Sequence, residues 1–166
     1  PLIGAADREG ISGAFVIVQN TRLGFPRSVR IIKSEDFGKL LRSENPGAVR
    51  LGRDLVSVNV LPNKDIGRVR FGFTVGKHNV PRSVDRALVK RVFRDVSRHD
   101  LPQFRSLAEE LGVGLDIGLR IRRPLKNIGR DVAVAAAKAS VRSGTEACLR
   151  AVKKRLPETV GRFKQH

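Results

Sequence analysis

Residues 68–99 read RVRFGFTVGKHNVPRSVDRALVKRVFRDVSRH. At the start of this stretch Val69, Phe71, Phe73 and Val75 alternate with Arg68, Arg70, Gly72 and Thr74, the period of two that sends successive side chains to opposite faces of a half-buried strand. From Pro81 to His99 the period becomes that of a helix. Arg82, Arg86, Lys90, Arg94 and Arg98 recur every four residues, a series that drifts only about 160° round the axis, and Arg91 falls at the edge of the same arc. Val84, Leu88, Val89, Val92 and Val96 lie on the other side, so they are expected to pack on the sheet while the cations project away from it. Asp85 stands in the first turn, where the helix dipole favours an acid, and Asp95 is the other carboxylate of the segment.

Two readings of that basic face stand side by side. An ordinary solvated face interleaves Glu with Lys for i,i+4 pairing; here like charges stack four apart, at a cost of a few tenths of a kcal/mol per pair in an isolated helix. An anionic partner would offset that cost. Arg outnumbers Lys five to one on the helix, which favours forked contacts with phosphate oxygens over diffuse attraction.

The whole chain has 166 residues, 40% of them hydrophobic, enough for one domain with extensions and too few for two ordinary domains. Its 33 Lys and Arg against 16 Asp and Glu give a formal charge of +17 and a pI near 11.5, so the folded chain repels itself until a polyanion binds. Nucleic acid fits best, because phosphate contacts release condensed counterions; a membrane surface would be met by an amphipathic or lipidated anchor, and no lipidation signal is visible. Cys148, the lone cysteine, has no partner for an intramolecular disulfide, and His78, His99 and His166 show no metal-ligand spacing. Cys148 in an Ala-rich segment reads as a small core residue rather than a nucleophile. The apolar run Ala14–Val18 is shorter than a signal-peptide core, and nothing approaches a membrane span. A cytoplasmic protein is expected, with no metal or cofactor bound by the protein itself, no membrane association and no stable protein partner.

Outside the central stretch, residues 1–24 show scattered glycines and no sustained period, and read as an N-terminal extension. The domain is expected over 25–157, with a basic tail at 158–166. Ser34-Glu35-Asp36 supplies a cap and two acids for a short helix through Leu41 or Arg42. Val56, Val58 and Val60 alternate with Ser57 and Asn59 in a strand over 55–61. The link Leu61–Gly67 carries the Pro, Asn, Asp and Gly of a hairpin connection, so this strand and that of 68–75 are expected to pair antiparallel. Leu115, Ile117, Leu119 and Ile121 mark a third strand. An Ala-rich helix or helix pair runs from Asp131 to Leu156, interrupted at Gly144 and ending before Pro157.

Phe71-Gly72-Phe73-Thr74-Val75-Gly76-Lys77, then Pro81-Arg82-Ser83-Val84-Asp85-Arg86 and Lys90-Arg91-Val92-Phe93-Arg94-Asp95, resemble the strand and "RNR" helix of the bacterial ribonuclease P protein family. Phe25-Pro26, Ser28, Arg30, Glu35-Asp36-Phe37, Val60-Leu61-Pro62-Asn63 and Leu115-Asp116-Ile117 add matches, so the likeness runs from about Phe25 to Arg123. The resemblance implies an α/β fold, an α+β two-layer sandwich of the ribosomal protein S5 domain 2-like kind with a left-handed βαβ crossover. It implies a non-catalytic protein subunit of ribonuclease P that binds the catalytic RNA and the 5′ leader of precursor tRNA, the Mg2+ being used by the RNA subunit.

On that carry-over Lys77, Arg82, Arg86, Lys90, Arg91, Arg94 and Arg98 form the RNA-binding set, and Phe37, Val58, Arg68 and Arg70 belong to the leader cleft. Phe37 would stack on a base; a core position is its other reading. Arg68, Arg70, Arg120 and Arg122 share the polar parity of their strands, lining a basic sheet face or a solvated edge. The family's Asn and second Arg in the motif are here Ala87 and Leu88, an aromatic often found four residues after Phe37 is Leu41, and a cleft aromatic of the first strand is Val58. No catalytic set emerges at short spacing. A structural, ribosome-associated RNA-binding protein, a diverged paralogue without processing activity, and an autonomous nuclease are the competing functions.

Overall fold

The computed structural model describes residues 25–31, 34–42, 47–125 and 131–164. The extension read over 1–24 lies outside them, as do His166 and the Ser34 side chain read as a cap. In chain order come a 3-10 turn (Arg27–Val29), α1 (Ser34–Arg42), β1 (Val49–Arg53), β2 (Val56–Asn63), β3 (Val69–Thr74), α2 (Ser83–Leu111), β4 (Gly114–Ile121) and α3 (Asp131–Lys164). None of the described helices is long and apolar enough to cross a membrane.

The four strands form one sheet in the order β1-β2-β4-β3. β4 runs antiparallel to β2 and parallel to β3, so the hairpin expected across Leu61–Gly67 does not form. Turn residues in that link reverse the chain, but they do not decide which strand fills the space beside β2. The long crossover β3–α2–β4 brings β4 there, and its apolar residues pair with both neighbours. The real hairpin partner of β2 is β1, which paired Val49 with Val60 and Arg53 with Val56 around a tight turn with Asp54 at φ 51°.

Register makes one sheet face continuously apolar. Val56, Val58 and Val60 stand opposite Ile121, Leu119 and Ile117, and Val69, Phe71 and Phe73 opposite Leu115, Ile117 and Leu119. α2 and α3 cover this face: Phe104 meets Phe71 edge-on at 5.9 Å, Phe93 lies 6.0 Å from Phe73, and Leu149, Val152, Leu156 and Val160 of α3 are buried. Val58 belongs to this core. It is fully buried opposite Leu119, so it does not line a cleft; its parity puts it under the helices, and Ser57 and Asn59 take the other face.

The helices outrun their sequence signals. α2 continues past His99 through Pro102 to a left-handed Gly112 cap, because Leu101, Phe104 and Ala108 are buried along its last turns. α3 is one helix: Gly144 does not interrupt it but lets it cross close to the β1–β2 hairpin, where an added Cβ would lie 3.1 Å from Val56 and 3.2 Å from the Arg53 carbonyl oxygen. Pro157 does not end it either. Thr159 and Val160 are buried beyond the proline, so residues 158–164 are helix and not a tail. In both helices core burial outweighs the roughly 3 kcal/mol cost of an interior proline.

Candidate nucleic-acid interface

α2 is held to the sheet by Val89, Val92, Phe93 and Val96, all buried. This stripe is rotated from the one read in the sequence. Val84 lies about 130° from its centre at 100° per residue and is 58% exposed, while Leu88 is half-buried at its flank. The rotation sorts the cations. Arg86 lies only roughly 70° from the stripe, so it is half-buried and donates to the carbonyl oxygens of Val80 and Pro81, bracing the turn that precedes the helix. Arg82 sits 3.6 Å from Asp85, and Arg98 is bound to Asp95. Lys77, Lys90 and Arg91 are exposed and Arg94 half-buried, and none of these four has a carboxylate partner among the described residues.

Along the side of α2 that faces α3 runs an open pocket of about 350 Å3, lined by Leu88, Arg91, Val92, Arg94, Asp95 and Arg98 from α2 and by Lys138 and Arg142 from α3. Asp95 accepts from Arg98 and, at 2.9 Å, from Arg142. Burial alone would push its carboxyl up, but the Arg142 hydrogen bond and the charges of Arg142, Arg98 and His99 prevail and hold it below the usual carboxylate value.

The opposite face of the sheet carries α1. Gly72 and Gly118 are direct neighbours across the β3–β4 ladder, and together they make a floor for two α1 side chains. A Cβ on Gly72 would come within 2.4 Å of the Phe37 ring, and one on Gly118 within 2.7 Å of Leu40. Phe37 therefore rests half-buried on glycine, with Leu40 buried beside it. Arg70 locks this arrangement. It donates two 2.9 Å hydrogen bonds to Asp116 on β4 and approaches Asp36 of α1 at 3.6 Å. The Asp116 hydrogen bonds, and then the charges of Asp116 and Asp36, raise the Arg70 pKa further against the opposing effect of burial. Arg70 is thus consumed by carboxylates rather than offered to a ligand. Arg68 precedes β3, is exposed and pairs with Asp65 at 3.3 Å. Arg120 donates to Ser57, and Arg122 donates to the Asp54 carbonyl while lying over Gly52.

The Ribonuclease P family model matches residues 25–143, which take in α1, the whole sheet, α2 and the start of α3. The chain belongs to the ribonuclease P protein family. It is 32% identical to the ribonuclease P protein component of Photorhabdus laumondii and 31% to that of Proteus mirabilis, each over an alignment 88 residues long that covers 49% of this chain and 66% of the relative. The matched stretch thus falls just short of two thirds of those relatives' length. The fold is similar to the solved Staphylococcus aureus RNase P protein, with a TM-score of 0.57 at 20% identity over 76% of this chain and 97% of that one.

Within this ribonuclease P family chain the two motif departures have distinct places. Ala87 is an exposed surface position, whereas Leu88 lines the pocket between α2 and α3. Four contributors escaped the sequence reading. Asp36 and Asp116 gave no short-range sign of sharing Arg70, because they lie on separate elements. Lys138 and Arg142 did leave a trace: they are four apart in an otherwise small-residue helix, so one face of α3 carries both.

Proposed function

We propose that this chain is the protein subunit of a bacterial ribonuclease P, binding the catalytic RNA through α2 and the single-stranded 5′ leader of precursor tRNA near α1. One observation carries the reading: Lys90, Arg91 and Arg94 of α2, with Lys77 in the turn before it, stand without carboxylate partners among the described residues, and the other side of α2 is fixed by Val89, Val92, Phe93 and Val96, in a chain of this family. Anchoring fixes the spacing of the cations, and forked guanidinium contacts to phosphate then favour one docking geometry over diffuse attraction. Phe37 on its glycine floor is the side chain this reading gives to a leader base, a stack worth about 1–3 kcal/mol.

The chemistry is assigned to the RNA and its Mg2+, with the protein screening phosphate repulsion and positioning substrate in the cytoplasm. Among the described residues no three of His, Cys, Asp and Glu converge to hold a cation. The test is reconstitution: added to a bacterial ribonuclease P RNA at low Mg2+, the protein is expected to restore cleavage of precursor tRNA. Cleavage by the protein without any RNA subunit, or no effect on the RNA, would overturn the assignment.

A further inference from the structure

The pocket between α2 and α3 brings Arg91, Arg94 and Arg98 together with Lys138 and Arg142, and among the described residues one carboxylate, Asp95, faces them. Five cations against one anion in about 350 Å3 leave a strong excess of positive charge in a space that exceeds the roughly 30 Å3 share of a water many times over. Asp95 uses one N–H of Arg98 and one of Arg142, so each guanidinium keeps further donors, and the Arg98 Nε is buried with no hydrogen-bond partner among the described residues. Arg91, Arg94 and Lys138 have no carboxylate partner there among the described residues.

We propose that this pocket is a binding site for one phosphate group, in which Asp95 holds Arg98 and Arg142 in place and Lys138 and Arg142 of α3 complete the contacts that Arg91, Arg94 and Arg98 begin. The proposal rests on the α2 reading only for its source, an RNA phosphodiester seated between the helices. The phosphate chemistry stands on the pocket itself. Leu88 and Val92 make the apolar part of the lining, and the basic side chains the rest.

The experiment titrates the full chain with inorganic phosphate at constant ionic strength, followed by NMR or calorimetry. Saturable binding is expected. Lys138→Ala should weaken it about tenfold, the effect of losing one charged contact, and Arg142→Gln at least as much. Lys154→Ala, an exposed α3 position outside the pocket, should leave it unchanged. Lys138 has no side-chain partner among the described residues, so its variant remains informative even where Arg142→Gln, which strips Asp95 of a bond, unfolds. Equal phosphate affinity in wild type, Lys138→Ala and Arg142→Gln, or no binding at all, would overturn the site. A parallel titration of ribonuclease P RNA identifies the source: a salt slope lowered by about one in Lys138→Ala assigns the pocket to the RNA backbone, and an unchanged slope assigns it to free phosphate. Failure of ribonuclease P RNA to bind the wild-type protein would sink the family function while leaving the phosphate result intact.

Discussion

Arg70→Ala removes the one cation shared by Asp116 and Asp36. The Arg70 and Asp116 side chains are only 18% and 13% exposed, so the variant leaves a carboxylate largely out of water with two hydrogen bonds gone. Breaking a buried pair from one side costs about 3–5 kcal/mol; the residual exposure here and the open position of Asp36 lower that to roughly 2–3 kcal/mol. For a chain of this size the loss corresponds to a Tm fall of about 5–10 °C. Urea unfolding followed by circular dichroism suits a chain that has no Trp or Tyr, and salt and phosphate must be fixed because anions that bind the native state add stability of their own. The decisive comparison is a double-mutant cycle with Asp116→Asn. Arg70→Ala and Asp116→Asn together should cost about 1.5 kcal/mol or more less than the sum of the two alone. Additivity to within about 0.5 kcal/mol would show that Arg70 and Asp116 are not coupled across β3 and β4.

Gly72→Ala drives a methyl into Phe37, so it should weaken binding of precursor tRNA bearing a leader while leaving affinity for the ribonuclease P RNA alone unchanged; equal loss for both, measured by filter binding, would separate Phe37 from the leader. Phe93→Ala empties a fully buried site under α2 and should cost about 3–5 kcal/mol in the same urea assay. The four α2-side cations that have no carboxylate partner among the described residues, Lys77, Lys90, Arg91 and Arg94, imply a log–log salt slope for RNA binding near −3, and Lys90→Ala, Arg91→Ala and Arg94→Ala combined should bring it close to −1; an unchanged slope places the interface elsewhere. Asp95 is held below its unfolded value near 3.8, so its contribution is present above about pH 4 and is lost as pH falls through the lower, folded value. Acid unfolding of Asp95→Asn should therefore show a shallower pH dependence than wild type, starting from lower stability at neutral pH.

Much of the fold was legible because it rests on period. The alternation at Val69–Val75 and Leu115–Ile121 fixed which side chains face the helices, and the same parity placed Gly72 beside the polar residues. Strand partnership was not legible. The Leu61–Gly67 link carries turn chemistry, yet β4 arrives by a crossover that no local signal announces, and β1, with Arg50, Gly52 and Arg53 in five residues, lacks the apolar content of a readable strand. Pro157 misled for a related reason: local propensity marks a stop, while Val160 beyond it is buried in the core. In the candidate site, a four-residue repeat located the cations but not their partners. The 40° drift per step follows from the spacing, but which members turn inward depends on where the buried stripe lies, and that rotation, which puts Arg86 against the Val80 and Pro81 carbonyls, is set by packing.

Docking of α2 on folded RNA can be read by tethered hydroxyl-radical cleavage. Cys148 is fully buried, and burial pushes its thiol pKa up, so an iron chelate can be attached selectively at Ala87→Cys on the exposed side of α2 or at Ile66→Cys in the β2–β3 link. Strong, localised cuts in ribonuclease P RNA from position 87 and none from position 66 are expected. Cuts from position 66 alone, or identical weak cutting from both, would contradict an RNA interface on α2.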